Sequence, residues 1–164
     1  MTQTYTAVGL TMGSTYTFKV QARNSYGLSP FSSEVSVLAA EIPASPSTPV
    51  TAISGSSVQI TWTIPSVGGS AITSLVIYIR HSDEVNFSTE PIDCDGQSSA
   101  IVLSNTCAIP ISTLKQPPFD LPWGGSVFAK VVATNIYGSS AESNQGNGAI
   151  LLTYPDAPTD LAET

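Results

Sequence analysis

The sequence repeats itself at long range, and this repeat constrains the fold more than any other feature. Residues 16–27 (YTFKVQARNSYG) align with residues 127–138 (VFAKVVATNIYG) at an offset of 111 residues. Further along, the proline-containing residues 42–46 are matched by residues 154–158 at an offset of 112. A period this long, with turn signals inside it, is typical of tandem domains and not of solenoid repeats. The chain is therefore expected to contain parts of consecutive, related domains.

Short runs rich in Val, Ile, Thr and Tyr alternate with clusters of Gly, Pro, Ser and Asn, which predicts an all-β sandwich. In residues 57–63 the side chains of Val58, Ile60 and Trp62 share one face, because successive strand side chains point to opposite sides. We find no helical periodicity of useful length. The predicted core includes Trp62, Leu75, Ile77 and Val131.

Several motifs together resemble the fibronectin type III domain family. Both repeated strands end in Ala-x-Asn-x-x-Gly, followed by Ser-rich turns and a Pro-rich linker. Trp62 stands where that family keeps a core tryptophan on its second strand, and Leu10, Gly13 and Tyr16 match its leucine, turn and tyrosine-corner run. In the second copy Val127 replaces the corner tyrosine. The resemblance implies immunoglobulin-like (fibronectin type III) β-sandwiches in tandem.

The domain boundaries follow from this resemblance. Residues 1–41 are expected to hold only the last three strands of one domain, residues 42–155 a complete domain with an insertion at about 81–122, and residues 156–164 the start of a third. Half a sandwich cannot bury its own face, because two sheets must cover each other to form the core. The first part is therefore expected either to be cut from a longer array or to be completed by another copy.

Charge and hydrophobicity exclude several classes of function. The net charge is −7 with only five basic residues, which are scattered, whereas nucleic-acid binding needs clustered Lys and Arg. No apolar run approaches the roughly 20 residues that span a bilayer, so no membrane insertion is expected in this segment.

The sequence also offers little for catalysis. His81 is the one histidine, and no nucleophile elbow or phosphate-cradling glycine loop accompanies it. Residues 93–96 (DCDG) faintly resemble the start of a calcium loop, but the later ligands of such a loop are missing and a β-turn is favoured. We therefore expect no catalytic residue, no metal site and no cofactor.

Two cysteines and one sequon bear on the compartment. Cys94 and Cys107 are expected to face each other across a hairpin that turns at Asp95-Gly96, within reach of a disulfide. The alternative is two buried free thiols. A disulfide would indicate an oxidising compartment, and Asn86, in the acceptor tripeptide Asn-Phe-Ser, is then the predicted N-glycosylation site.

One face of the second domain is expected to be unusually apolar. In the family the third and sixth strands are neighbours, and their outward side chains would here form an apolar patch of the kind that marks contacts. Its predicted members are Val76, Tyr78, Phe128 and Val132. Either the insertion covers it, with Phe119, Leu121 and Trp123, or a neighbouring domain or another chain does, as in lateral packing within a fibre.

These features favour a structural or adhesive repeat unit of an extracellular or cell-surface filament or adhesin, without turnover. Its partners would be neighbouring domains of the same chain, other copies in a filament, and glycans. One alternative is an accessory module of a large secreted carbohydrate-active enzyme. Another is an intracellular cytoskeletal or axonemal array, in which Cys94 and Cys107 would be reduced.

Overall fold

The structure, a computed structural model, describes residues 4–152. The predicted start of a third domain at 156–164 lies outside the described residues. Strands dominate, and the two helices are short. The strands are β1 (Thr15–Phe18), β2 (Arg23–Asn24), β3 (Gly27–Leu28), β4 (Val35–Leu38), β5 (Val50–Ser54), β6 (Ser57–Thr61), β7 (Ser74–Arg80), β8 (Phe87–Ser88), β9 (Thr106–Pro110), β10 (Ser126–Val127), β11 (Ala129–Asn135), β12 (Gly138–Ser139) and β13 (Ala149–Ile150). The helices are α1 (Ser99–Ser104) and α2 (Ile111–Leu114).

Residues 42–152, called the second unit below, form two main antiparallel sheets around one core, and β10 pairs with β13 in a further two-stranded sheet. One sheet has the order β5-β6-β9 and the other β12-β11-β7-β8. The central pairs are fixed by long registers, with Val58 opposite Ile109 in the first sheet and Val131 opposite Ile77 in the second. The prediction of an all-β sandwich is confirmed.

The core follows the period-two pattern of the strands. In β7 and β11 every second residue is buried, because the sheet faces its partner sheet on one side. Each large aliphatic side chain buried in this way contributes about 1.5–3 kcal/mol relative to leaving it exposed. Trp62, Leu75, Ile77 and Val131 are each at most 2% exposed and belong to this core.

Residues 4–41, the first unit, carry the same strand pattern with one face open. The pair β1 and β4 is antiparallel, and β2 pairs with β3 across a turn. Val20 is 70% exposed, whereas Val131, its counterpart at the repeat offset, is 0% exposed. The sheet that covers Val131 thus has no equivalent over Val20 among residues 4–152.

The repeat extends to individual hydrogen bonds of the last strand. In each unit two serine hydroxyls accept backbone N–H groups of the neighbouring strand. The backbone N–H of each serine in turn donates to the carbonyl of the residue whose N–H its hydroxyl accepts. The four N–H to Oγ pairs are Ala22–Ser29 (3.0 Å), Val20–Ser32 (3.1 Å), Ala133–Ser140 (3.0 Å) and Val131–Ser143 (2.9 Å).

The tyrosine corner is present in the first unit, and in the second unit both of its hydrogen-bonding residues are replaced. The N–H of Thr11 donates to the Oη of Tyr16 at 2.7 Å, and this hydrogen bond lowers the pKa of Tyr16. The counterparts at the offset of 111 are Pro122, which has no N–H, and Val127, which has no hydroxyl. Donor and acceptor are lost together, so neither is left buried without a partner.

The predicted hairpin between the cysteines is wrong. The disulfide itself is present, with the Cα atoms of Cys94 and Cys107 5.2 Å apart, but helix α1 lies between the two residues. Cys107 belongs to β9, opposite Ile60, while the segment after Cys94 runs beside β7, where the N–H of Leu75 donates to the carbonyl of Gly96 at 2.7 Å. The bond therefore ties one sheet to the other, and much of the segment 81–122 belongs to the sandwich itself.

Candidate functional site

The first and second units meet in a glycine-lined junction. Gly69, in the loop between β6 and β7, has φ +75, and a Cβ added to it would lie 2.6 Å from both the Met12 Cγ and the Gly13 nitrogen. Real Cβ atoms do not approach other atoms so closely, so a glycine is required here for space as well as for its backbone conformation. The loop of Met12 and Gly13 thus sits directly against the second unit.

The linker between the units is also held in place. Asn135, at the end of β11 and only 3% exposed, donates its side-chain amide to the carbonyl of Glu41 at 2.8 Å and to that of Val67 at 3.0 Å. The N–H of Glu41 donates to the carbonyl of Gly68 at 2.8 Å. Polar groups on both sides of the linker are therefore paired, which favours one fixed arrangement over a free hinge.

The linker continues along the second unit without leaving it. The N–H of Ala44 donates to the carbonyl of Ser66 at 3.0 Å, and that of Ser47 donates to the carbonyl of Thr63 at 2.8 Å. Three prolines, each with a fixed φ, stiffen this segment and are buried against the domain. They are Pro43, Pro46 and Pro49.

The outer face of the β7–β11 sheet contains the predicted patch, in the expected register. Val132 lies opposite Val76, and Lys130 lies opposite Tyr78. Tyr78, Phe128, Val76 and Val132 are all half-buried, so the face is less open than the sequence suggested.

The side chains of Arg80 and Lys130 cover part of this outer face. The guanidinium carbon of Arg80 lies 4.1 Å from the ring centroid of Phe128, and the Nζ of Lys130 lies 4.5 Å from that of Phe87. Lys130 also pairs with Glu142 at 3.2 Å. The face therefore presents aromatic rings capped by charge, a mixed surface that tolerates water better than an apolar patch.

The residues expected to fold over this patch lie elsewhere. Phe119 and Leu121 are 2% and 4% exposed and belong to the core between the sheets. Trp123 is 50% exposed, and the Nζ of Lys115 lies 3.7 Å from its ring centroid. The proposal that these three side chains cover the outer face is wrong, because the chain returns into the core at Phe119 and Leu121.

A histidine–serine contact comes nearest to catalytic geometry. The Nε2 of His81 lies 2.8 Å from the Oγ of Ser88, and the imidazole meets the ring of Phe119 edge-on. The nearby carboxylate of Asp83 accepts the N–H groups of Val85 and Asn86 instead. We assign the His81–Ser88 contact to holding β7 against β8.

The loop that carries the predicted glycosylation site is ordered by the same carboxylate. Asn86 is exposed, and its side-chain amide donates to Asp83 at 2.6 Å. The backbone N–H bonds of Asn86 and Val85, followed by the Asn86 side chain, lower the pKa of Asp83 to about 2. The residue lies on the surface with its amide nitrogen bonded to Asp83, and glycan attachment at Asn86 stays a prediction.

The acidic cluster near Cys94 is organised by backbone donors. The Glu90 carboxylate, in a residue only 4% exposed, accepts the N–H groups of Ile92, Asp93 and Cys94 at 3.2, 2.6 and 3.2 Å. Within residues 4–152 no group of at least three His, Cys, Asp or Glu side chains is placed to hold a metal ion. In the same range no helix is long and apolar enough to cross a membrane.

Comparisons with known proteins support the fold. No family model matches the sequence. A crystal structure of a group of titin domains is similar over 87% of this chain and 43% of that one, with 20% identity and a TM-score of 0.53. The FN1-FN3 domains of chicken CNTN1 match over 65% of this chain and 32% of theirs, with 18% identity and a TM-score of 0.45. The chain thus spans less than half the length of both structures.

The two facing antiparallel sheets define an immunoglobulin-like β-sandwich. Within that class the described chain is fibronectin type III-like, with Trp62 in the core and the Ala-x-Asn-x-x-Gly turn at the end of β11.

Proposed function

We propose that this chain is a structural repeat unit of an extracellular or cell-surface filament or adhesin, acting by spacing and adhesion without turnover. In this proposal residues 1–41 end one sandwich domain, residues 42–155 form the next, and residues 156–164 begin another.

The junction at Gly69 is the observation that carries the proposal. Loop-to-loop packing of Met12 and Gly13 on Gly69, with the linker pinned by Asn135, would transmit orientation from one unit to the next. A flexible linker would give independent domains, whereas a paired and proline-stiffened one gives a rod. Head-to-tail contact of this kind builds open assemblies of any length.

Three features support an extracellular setting. The Cys94–Cys107 bond joins the two sheets, and such bonds persist in oxidising compartments. Asn86 lies exposed within an acceptor tripeptide. The charged fraction is only 10%, so few charged side chains would have to be desolvated in close packing between copies.

The outer face of Val76, Tyr78, Phe128 and Val132 is the proposed lateral contact with other copies. Arg80 lies over the Phe128 ring of this face, and Lys130 lies over the ring of Phe87 in the neighbouring β8; both cations would take part in such a contact.

Electron microscopy of the native protein, isolated under non-reducing conditions, tests the proposal. We expect extended strings of evenly spaced small domains, with Cys94 and Cys107 resistant to alkylation until reductant is added. A compact particle with this domain beside a catalytic domain would contradict the proposal and favour the accessory module. Extended strings with freely alkylated cysteines would instead favour the intracellular array.

A further inference from the structure

Trp123 occupies the position in the second unit that Met12 occupies in the first, because the two residues are 111 apart. The glycine that follows has the same backbone conformation in both places, with φ +79 at Gly124 and +80 at Gly13. The sequence thus repeats the loop that makes the junction, with a larger side chain at its tip.

The hydrogen bonds of this loop repeat as well. Gly13 donates its N–H to the carbonyl of Ala39 at 2.8 Å, and Gly124 donates its N–H to the carbonyl of Leu151 at 2.8 Å. In both units this bond joins the loop to the residue just after the last described strand, Ala39 after β4 and Leu151 after β13. The second unit therefore presents the same backbone surface at its far end that the first unit uses for contact.

The two ends differ in what faces them. A Cβ added to Gly13 would meet Gly69 at 3.7 Å, whereas one added to Gly124 would meet no atom of residues 4–152 within 4 Å. Trp123 is half exposed, and Leu152, the residue after the acceptor Leu151, is 65% exposed. Lys115 holds the indole by stacking on it, and Lys115 forms no ion pair with an acidic side chain among residues 4–152.

We propose that Trp123 and Gly124 form a docking site for the next β-sandwich domain of the same chain, which presents a glycine in the loop between its second and third strands. The proposal rests on the tandem array proposed above and on continuity with the junction already formed by Met12, Gly13 and Gly69. The partner needs a glycine because Gly69 already leaves no room for a Cβ beside the smaller Met12. Burial of a rigid indole would make this joint larger than the first one.

The test compares the 164-residue chain with an extended chain. In the extended chain residues 1–153 are followed by a second copy of residues 42–152, which keeps the repeat spacing because residue 153 aligns with residue 41. The added copy carries Trp123→Phe, so that Trp123 of the original unit is its one exposed tryptophan, Trp62 being 2% exposed. The readout is acrylamide quenching of tryptophan fluorescence.

We expect Trp123 to be quenched readily in the 164-residue chain and to lose that quenching, down to the level of the buried Trp62, in the extended chain. Gly69→Val in the added copy should restore quenching. The matched control is Gly55→Val in the added copy, because Gly55 also has a positive φ, +58, yet has open space around it. This control should leave Trp123 protected.

The proposal is overturned if Trp123 stays as quenchable in the extended chain as in the 164-residue chain, or if the two glycine variants behave alike. Because Gly69→Val could unfold the added copy, residual dipolar couplings give a second measurement. The site is supported if the original second unit and the added copy share one alignment tensor, and if Trp123→Ser gives each of them its own tensor. If the two units share one alignment tensor that Trp123→Ser leaves unchanged, the site is rejected and the proposed array is retained. If the two units align independently before any substitution, the site and the proposed array are both rejected.

Discussion

The side-chain amide of Asn135 lies 2.8 Å from the carbonyl oxygen of Glu41, and this contact fixes the linker to the end of β11. Asn24 is the equivalent residue of the first unit, and its Oδ1 accepts the N–H groups of Tyr26 and Gly27. Unlike Asn135, Asn24 is exposed to solvent. Each asparagine accepts at least one backbone N–H group of its own turn, but only Asn135 also bonds to the linker. The two residues are therefore a matched pair for substitution.

We expect Asn135→Ala to lower the free energy of unfolding of the second unit by about 1–3 kcal/mol, because it leaves the carbonyls of Glu41 and Val67 without their donor. Asn24→Ala should change it by less than about 0.5 kcal/mol, since its side chain is on the surface. Urea unfolding followed by Trp62 fluorescence measures both. Equal losses in the two variants would show that Asn135 serves only its own turn.

The disulfide between Cys94 and Cys107 is expected to stabilise the second unit by roughly 3 kcal/mol, the magnitude for closing a short loop. Reductant should therefore shift the urea midpoint downward. The double variant Cys94→Ala with Cys107→Ala should show the lower midpoint with or without reductant. An unchanged midpoint on reduction of the native cysteines would contradict the assignment of an inter-sheet brace.

Glu90 is expected to support that brace through the backbone of residues 92–94. Glu90→Gln exchanges one acceptor oxygen for a donor and should cost about 1–3 kcal/mol, because buried N–H groups lose their partner. The control is Glu84→Gln, whose side chain is 75% exposed and pairs with Arg80 at 3.9 Å, and which should cost at most about 1 kcal/mol. Calorimetric melting of the two variants compares them, and a larger loss at Glu84 would refute this role.

The turn of Asp83 should respond to acid in a defined direction. Its folded pKa, about 2, lies below the ordinary value of 3.8 because backbone N–H groups of Asn86 and Val85 favour the charged form. The contribution of this turn to stability is therefore present above pH 3.8 and is lost as the pH falls through 2. Carboxyl carbon shifts followed by NMR report this pKa, and Asn86→Ala should raise it. Titration at the ordinary value in the native chain would remove the support for an ordered loop.

The sequence predicted the sandwich because its strands alternate cleanly around Trp62, and it predicted the register of the outer face because Val132 and Val76 fall at outward positions of neighbouring strands. The alternation is a direct consequence of strand geometry, so it can be read without tertiary information. The repeat of the Met12–Gly13 loop at Trp123–Gly124 was also accessible, since the offset of 111 that aligns the strands places Trp123 on Met12.

Other features depend on tertiary contacts that cannot be read from the pattern of a single sequence. Helix α1 has six residues, too few to leave a periodic signal, and tertiary packing decides such short helices. With that helix unseen, Asp95-Gly96 indicated a hairpin, although Cys107 is held in β9 by pairing with β6. The caps of Arg80 over Phe128 and Lys130 over Phe87 likewise arise from side-chain conformations across two strands.

A tandem array requires residues 42–152 to be a closed sandwich and residues 4–41 to be one open half of another. Native-state hydrogen exchange at two repeat-related amides tests this, since the N–H groups of Val131 and Val20 both donate to a serine Oγ. We predict that Val131 exchanges only with global unfolding, slowed by a factor on the order of 10⁴ or more, and that Val20 is protected at least about 100-fold less. Equal protection of the two amides would contradict the account.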